Sequence, residues 1–478
     1  MSFVNFSTMK TIRVLIPLVF VLISVLTLNS GCKKIKGKSS GNLEFSVDTL
    51  VFDTVFTTIG STTQQFKLYN RDKRPIVIEE VQLMGGENSP FRFNLDGLIG
   101  TSLSDIEVPG GDSLFCFVEV TLDINGQNLP MVVEDSIRFR TNGADQYVKL
   151  AVWGQDMYFH YSNFQADILD LNEGTWPNDK PHVIYGAAII DSAKTLNIQA
   201  GTDIYLHKNS ILYNYKGTLN MQGTATDRIT LQGDRLESFY DDVAGQYYGI
   251  YFHEARPSTM EYVFIKNATS GVHVYSKDAS FSAATVTLKK VEIKNPAAYG
   301  IFLFDAPYVV AENTLIYKSG VHALLVLQGA RFEFNHCNFM GYGGGDQTTP
   351  VVGIRNYYTD NTGLTTIGSI PLGRFTNCVI DGYGDQQLVF DTLSGATLNF
   401  EFNKTAIKAT ASTNPMFTNC YFNQASYFTS PYNGNFKFTN TNSVLSNNAN
   451  PAYPTSDGLD LEGNLRGTPT DIGVYDIP

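Results

Sequence analysis

Cysteine is scarce, five residues in 478, which excludes a disulfide framework, and the spacings of Cys116, Cys337, Cys378 and Cys420 fit no zinc motif. They read as buried free thiols packed as small hydrophobes. Charge is sparse as well, at 17% of residues, and basic side chains are in deficit, 34 against 46 acidic, for a formal net charge of −12. That balance is the opposite of a nucleic-acid binder's basic footprint and argues against DNA or RNA as a partner. Tryptophan is nearly absent at 2, whereas 32 Phe and 26 Tyr give a composition suited to strands. Beyond Leu28 no apolar run is long enough to cross a membrane, so the body of the chain is read as folded and all-β.

The one long apolar run, Val14 to Leu28, follows Lys10 and Arg13 and stops sharply at Asn29-Ser30-Gly31-Cys32. It is too short for a membrane span and reads as a signal peptide, residues 1–31. Small residues directly before Cys32 resemble the bacterial lipobox in its looser form, as in Bacteroidota, with Asn29 in the place usual for Leu. The resemblance implies that Cys32 is acylated, palmitate included, and becomes the N-terminus of a protein anchored to the bacterial outer membrane, on either face; ordinary cleavage with a free Cys32 is the alternative. Residues 32–42 carry Lys33, Lys34, Lys36 and Lys38 among small polar residues and form a tether. Setting aside the six basic residues before position 42 leaves 28 of the 34 against 46 acids, so the folded part carries about −18.

Residues 43–155 alternate apolar and polar positions in short segments, such as Leu43 to Val47, Ser113 to Val120 and Val148 to Val152, with no plausible helix between them. That pattern predicts an antiparallel sandwich. Phe66 to Asn70, Pro75-Ile76-Val77-Ile78, Ser89-Pro90-Phe91, the turn Val108-Pro109-Gly110-Gly111-Asp112 and Phe139 to Asn142 resemble hydin-type Ig-like domains of exported bacterial proteins. The resemblance implies a spacer or docking module without catalytic residues. A linker, 156–182, is expected to follow.

From residue 183 to 478 the chain repeats. Val263-Phe264-Ile265, Val291-Glu292-Ile293, Thr314-Leu315-Ile316, Cys337-Asn338-Phe339, Cys378-Val379-Ile380, Thr405-Ala406-Ile407 and Cys420-Tyr421-Phe422 recur at intervals of 28, 23, 23, 41, 27 and 15 residues. Three positions before each stands a second apolar column: Met260, Leu288, Ala311, Phe334, Phe375, Phe402 and Phe417. Asn313, Asn377 and Asn419 between the columns suggest bends bridged by stacked amides. A third segment opens on glycine at Gly249, Gly271, Gly300, Gly320 and Gly353, after a corner that holds most of the length variation. Three short strands per repeat predict a right-handed parallel β-helix whose coils share a core that none could form alone. The opening coils, Leu196 to Thr202 and Gly217 to Thr224, and the closing Gly463-Asn464-Leu465-Arg466 and Asp471 to Asp476 resemble the right-handed β-helix superfamily that includes pectate lyases. The last of these is expected to be a C-terminal cap.

If the residue after each glycine points inward, the next points outward, giving one exterior ladder of Tyr251, His273, Phe302, His322 and Arg355 and a second of His253, Tyr275, Phe304, Leu324 and Tyr357. Rings on a solvated face have a use: they stack on the C–H faces of sugars, while His and Arg bond hydroxyls or carboxylates. The alternative is that loops around Tyr240 to Tyr248 or Gly343 to Pro350 cover them. His273 and His322 are separated by Phe302 and read as stacked surface imidazoles, not a metal site; no cofactor is expected. For catalysis the candidate carboxylates are Glu254, Asp278 and Asp305, all just past a strand, with Asp241-Asp242 in a loop and Arg355 as a base without a calcium cage. The expected function is a lipid-anchored envelope protein whose β-helix binds a glycan or a protein partner; a polysaccharide lyase or glycoside hydrolase, and a purely architectural protein, are the alternatives.

Overall fold

The computed structural model describes residues 37–123, 131–345, 348–439 and 442–477. The leader, Cys32 and the tether as far as Lys36 lie outside them. The chain is all-β and divides into two compact units, meeting in sequence at Gln155 and Asp156.

The first unit is a sandwich of two five-stranded sheets. Its pairings are antiparallel, apart from Thr49–Phe56, which runs parallel to Ala144–Gln155 with a bulge at Val152 and Trp153. Alternate residues fill the interior, where Phe66 meets Phe139 edge-on at 6.1 Å and Phe52 lies 5.8 Å from Phe91. Buried Asn70 donates to the carbonyls of Arg74 at 2.8 Å and Val108 at 2.9 Å, pinning the turn at Pro109 to Asp112. A Cβ on Gly110 would meet the Lys73 carbonyl at 2.2 Å, so only glycine fits there.

The second unit is a right-handed parallel β-helix of three sheets. The first sheet has eleven strands, from Tyr158–Tyr161 to Tyr421–Phe422; the second has nine, from Asp170–Leu171 to Leu388–Asp391; the third has ten, from Gly174–Trp176 to Phe417–Thr418. In the first sheet Ile265, Ile293, Ile316, Phe339, Ile380, Ile407 and Phe422 are successive inward partners. In the third, Met260, Leu288, Ala311, Phe334, Phe375, Phe402 and Phe417 form the second column, as the repeat predicts. Phe375 stacks on Phe402 at 4.8 Å and 11°. Length variation falls at two corners, one before and one after the second sheet, since residues 277–285 and 356–369 are also inserted.

Residues 156–182 are the first coil, not a linker. Tyr158–Tyr161, Asp170–Leu171 and Gly174–Trp176 pair in parallel with the strands of the next coil. Their inward positions hold polar and aromatic groups where later coils hold aliphatics. His182 Nε2 donates to the Pro177 carbonyl at 3.0 Å, and His160 bridges His182 and Asp170 at 3.0 Å each. Trp176 stacks on both imidazoles at 4.3 Å. This hydrogen-bonded layer closes the aliphatic core at its first coil without leaving its ring nitrogens unpaired.

The bend between third and first sheets is left-handed on every coil from 262 on, at Tyr262, Lys290, Asn313, His336, Asn377, Lys404 and Asn419, with φ from 49° to 54°. The amides do not stack on one another, because His336 and Lys404 occupy the intervening coils. Asn313 and Asn377 turn instead to the C-terminal segment. That segment is a lateral strap and not an end cap. Asn450 bonds Asn377 and Asn403, Tyr453 accepts from Asn335, Ser456 donates to Glu312, Asp457 pairs with buried Lys290, and Leu461 accepts from Arg228. The contacts run backward through the coils. Phe436, Phe438, Leu445, Leu461, Ile472 and Val474 cover the outward Leu315, Tyr317, Met340, Val379 and Ala406 of the first sheet. Three of the cysteines, Cys116, Cys337 and Cys378, are buried free thiols, while Cys420 is partly exposed. No helix among the described residues is long and apolar enough to cross a membrane.

Candidate functional site

The exterior of the second sheet carries the rings. Its strands alternate inward aliphatics such as Ile250, Val272, Ile301 and Leu324 with outward residues, and parallel pairing stacks each outward residue on its equivalent one coil away. One column reads Tyr213, Tyr251, His273, Phe302, Leu325, Gly353; its neighbour reads Tyr215, His253, Tyr275, Phe304, Leu327, Arg355.

Seven of the ten expected ladder residues therefore stand on this face as columns, and the register departs from expectation after Phe302. Gly320 falls within the corner, Lys318 to Val321, which is as long as Asn295 to Ala298 one coil earlier, and Ala323 takes the place of the glycine in the strand. His322 pairs with Tyr299, in a flanking column, instead of following Phe302. Its Nδ1 donates to the Pro350 carbonyl at 2.6 Å, and its ring lies over Gly353, where a Cβ would approach to 3.1 Å. Leu324 points into the core. Arg355 follows Leu327 in the second column, not Phe302's, and reaches Asp391 at 2.8 Å. Tyr357 leaves the sheet for a hairpin with residues 365–367 and donates to Asp391 at 3.0 Å.

Ring geometry is close. Tyr251 stacks on His273 at 4.2 Å and 9°, and His273 on Phe302 at 4.5 Å and 23°. In the second column His253 meets Tyr275 edge-on at 5.0 Å, and Tyr275 lies 5.7 Å from Phe304. Tyr251, His253, Tyr275, Phe302 and Phe304 are all half-buried, whereas His273, expected as a surface imidazole, is only 7% exposed. Tyr248 bonds His273 Nδ1 at 2.8 Å, and burial pushes the imidazole down to about 4. Burial likewise lowers His253 and His322. These rings are neutral near pH 7, flat and fixed.

Sequence reasoning missed Tyr213 and Tyr215, which extend the platform by a coil; their strand opens on Ser210-Ile211 without a glycine, and only the alternation Ile211, Tyr213, Tyr215 marks it. Tyr213 and His253 Nδ1 are hydrogen-bonded at 2.7 Å. Tyr358 on the hairpin meets Phe304 at 5.3 Å and bounds the platform at one end.

Charged groups gather where these strands end. Glu254 pairs with Lys216 at 2.9 Å, and that bond holds its carboxyl below the usual range. Asp305 accepts from Gln328 at 2.7 Å, and burial raises its pKa. Asp278 sits in an exposed turn and accepts from Ser280 N. A cleft of about 560 Å³ opens beside them, lined by Glu254, Ser276, Lys277, Asp278, Ser282 and Tyr308 among others. Asp241 and Asp242 lie away from this face, against Lys266, Lys294 and Lys318 at the first sheet. Among the described residues no group of His, Cys, Asp and Glu is placed to hold a metal ion.

With three parallel sheets and stacked outward columns in view, comparison with known proteins supports the fold. The family model of the right handed beta helix region matches residues 270–465. That stretch spans the later coils and most of the strap. Among solved structures, a family 123 glycoside hydrolase from Clostridium perfringens aligns at 6% identity and TM-score 0.18, over 24% of this chain and 26% of that one. The ASH/PapD-like domain of human CEP192 aligns at 10% identity and TM-score 0.18, over 27% of this chain and 94% of that one. Likenesses this shallow bear on neither function nor fold. No curated protein matches the chain.

Proposed function

We propose that this chain is an exported envelope protein, lipid-anchored through Cys32, whose β-helix binds an extended polysaccharide along the exterior of the second sheet. One observation carries the reading: two adjacent columns of rings, all half-exposed but the buried His273, run over four coils, Tyr213, Tyr251, His273 and Phe302 beside Tyr215, His253, Tyr275 and Phe304. Coils repeat at about 4.8 Å, so the rings form a long flat strip on which successive sugars can lie with their C–H faces down. The first sheet offers a contrast. Its outward apolar residues are covered by the chain's own strap.

Two measurements test the proposal. A glycan array probed with the full chain in detergent should identify linear glycans, and Tyr275→Ala should reduce that signal; an array without hits refutes glycan binding. Cys32→Ser should move the protein out of the detergent phase, since stable anchoring takes more than one acyl chain. Unchanged partitioning refutes the anchor.

A second reading rests on Glu254 and Asp305. Both end strands of the second sheet in left-handed conformations, φ 47° and 75°, and burial raises Asp305 while the Lys216 bond lowers Glu254. An acid and a base pushed apart in this way suit glycoside hydrolysis. Release of reducing ends from a bound glycan, abolished in Asp305→Asn, would select it.

A further inference from the structure

We infer that the ligand of the ring face is an uncharged polysaccharide and not a polyuronate or a sulfated glycan. The inference rests on the reading that this face binds a glycan, and it concerns charge, which the rings themselves do not decide.

Lys216 and Arg355, beside the rings, are committed to carboxylates. Lys216 lies 2.9 Å from Glu254, and Arg355 lies 2.8 Å from Asp391, which also accepts from the Tyr357 hydroxyl at 3.0 Å. Lys277 lies on the cleft lined by Glu254 and Asp278, two positions after Tyr275. The imidazoles add no positive charge near pH 7: His273 is buried between Tyr251 and Phe302, and His322 gives its Nδ1 proton to the Pro350 carbonyl. Carboxylates on this rim, Glu254, Asp278, Asp305 and Asp391, outnumber Lys216, Lys277 and Arg355. The chain after its first 41 positions, rim included, has 28 basic residues against 46 acidic ones.

A polyanion approaching this face meets a repulsive field and finds acceptors where it needs donors. A sugar hydroxyl is donor and acceptor at once, so an ion pair serves it well: the carboxylate takes its proton while the ammonium or guanidinium donates to its oxygen. The cleft beside Glu254 adds the hydroxyls of Ser276, Ser282 and Thr285, which suit the same chemistry. Rings for the C–H faces and paired charges for the hydroxyls together describe a neutral chain.

The experiment measures binding of the full chain in detergent to two sets of linear oligosaccharides, neutral (β-glucan, xylan and mannan) and anionic (oligogalacturonate and alginate), at about 20 mM and about 300 mM salt. A neutral member should bind with a Kd that changes less than about two-fold with salt, and every anionic member at least about ten-fold more weakly. An anionic member binding as tightly as the best neutral one, and losing affinity as salt rises, overturns the inference and leaves glycan binding standing. Binding by neither set overturns both.

Discussion

Arg466 Nη2 donates to Asn313 Oδ1 at 2.6 Å, joining residues 153 apart and clasping the strap to the bend between two sheets. The same guanidinium donates to the Gly473 carbonyl at 2.8 Å and reaches the carbonyls of Asp471 and Leu459 at 3.4 Å. It therefore ties both limbs of the strap, 450–461 and 470–474, to the third residue of the bend series. Arg466→Ala leaves these acceptors buried and unpaired, so it should cost about 2 to 4 kcal/mol and open residues 443–477 to protease. An unchanged digestion pattern in the variant would show that the strap holds without its clasp.

Phe375 is fully buried, stacked on Phe402 at 4.8 Å, with Phe334 and Phe339 within 5.7 Å. Coils locked by parallel pairing on both sides cannot collapse into a void. Phe375→Ala should cost about 3 to 5 kcal/mol by chemical denaturation, and a loss under about 0.5 kcal/mol would place the ring outside the core.

Burial holds His182 and His273 at about 4, and lowers His253, His322 and His336 as well. The unfolded chain takes up these protons near pH 6.5 while the folded β-helix refuses them until lower pH. Stability from these groups is thus complete above about 6.5 and falls as pH drops toward about 4, by up to about 1.4 kcal/mol per pH unit for each group. Half-buried Asp381 and buried Asp471, whose pKa values are raised by desolvation, act in the opposite sense, so the slope is read as a difference. His273→Phe should flatten the pH dependence of unfolding between 6.5 and 4 relative to wild type; an identical slope in both proteins contradicts the burial argument.

The columns of the first and third sheets were legible in the sequence because each coil repeats a tripeptide and an apolar residue three positions before it. The second sheet was legible only to Phe302. Glycine served as its landmark, yet glycine is required only where a side chain would strike the next coil: a Cβ on Gly300 would lie 2.6 Å from the Ala323 carbonyl, while Ala323 itself fills that place one coil later. The next two glycines stand elsewhere, Gly320 within the corner and Gly353 opposite the outward Leu325, so His322, Leu324, Arg355 and Tyr357 fell out of register with them. The first coil escaped notice for another reason. His160, Asp170, Trp176 and His182 occupy inward positions, and no apolar periodicity marks a coil whose interior is hydrogen-bonded. The strap's contacts join residues from 47 positions apart, as between Asn403 and Asn450, to 233, as between Arg228 and Leu461, and local patterns do not encode them.

Phe302 is the last ring of the first column, with His273 at 4.5 Å on the preceding coil and Tyr299 of its own strand at 5.1 Å. It faces outward and contributes little to the core, and one ring of a binding strip is worth about 1 to 2 kcal/mol of affinity. The decisive measurement is the Kd for a linear glycan together with the melting temperature, on wild type and on Phe302→Ala. Binding weakened about ten-fold at a nearly unchanged melting temperature is the predicted result. A lowered melting temperature with undiminished binding would show that the rings serve the fold alone, and would contradict the account.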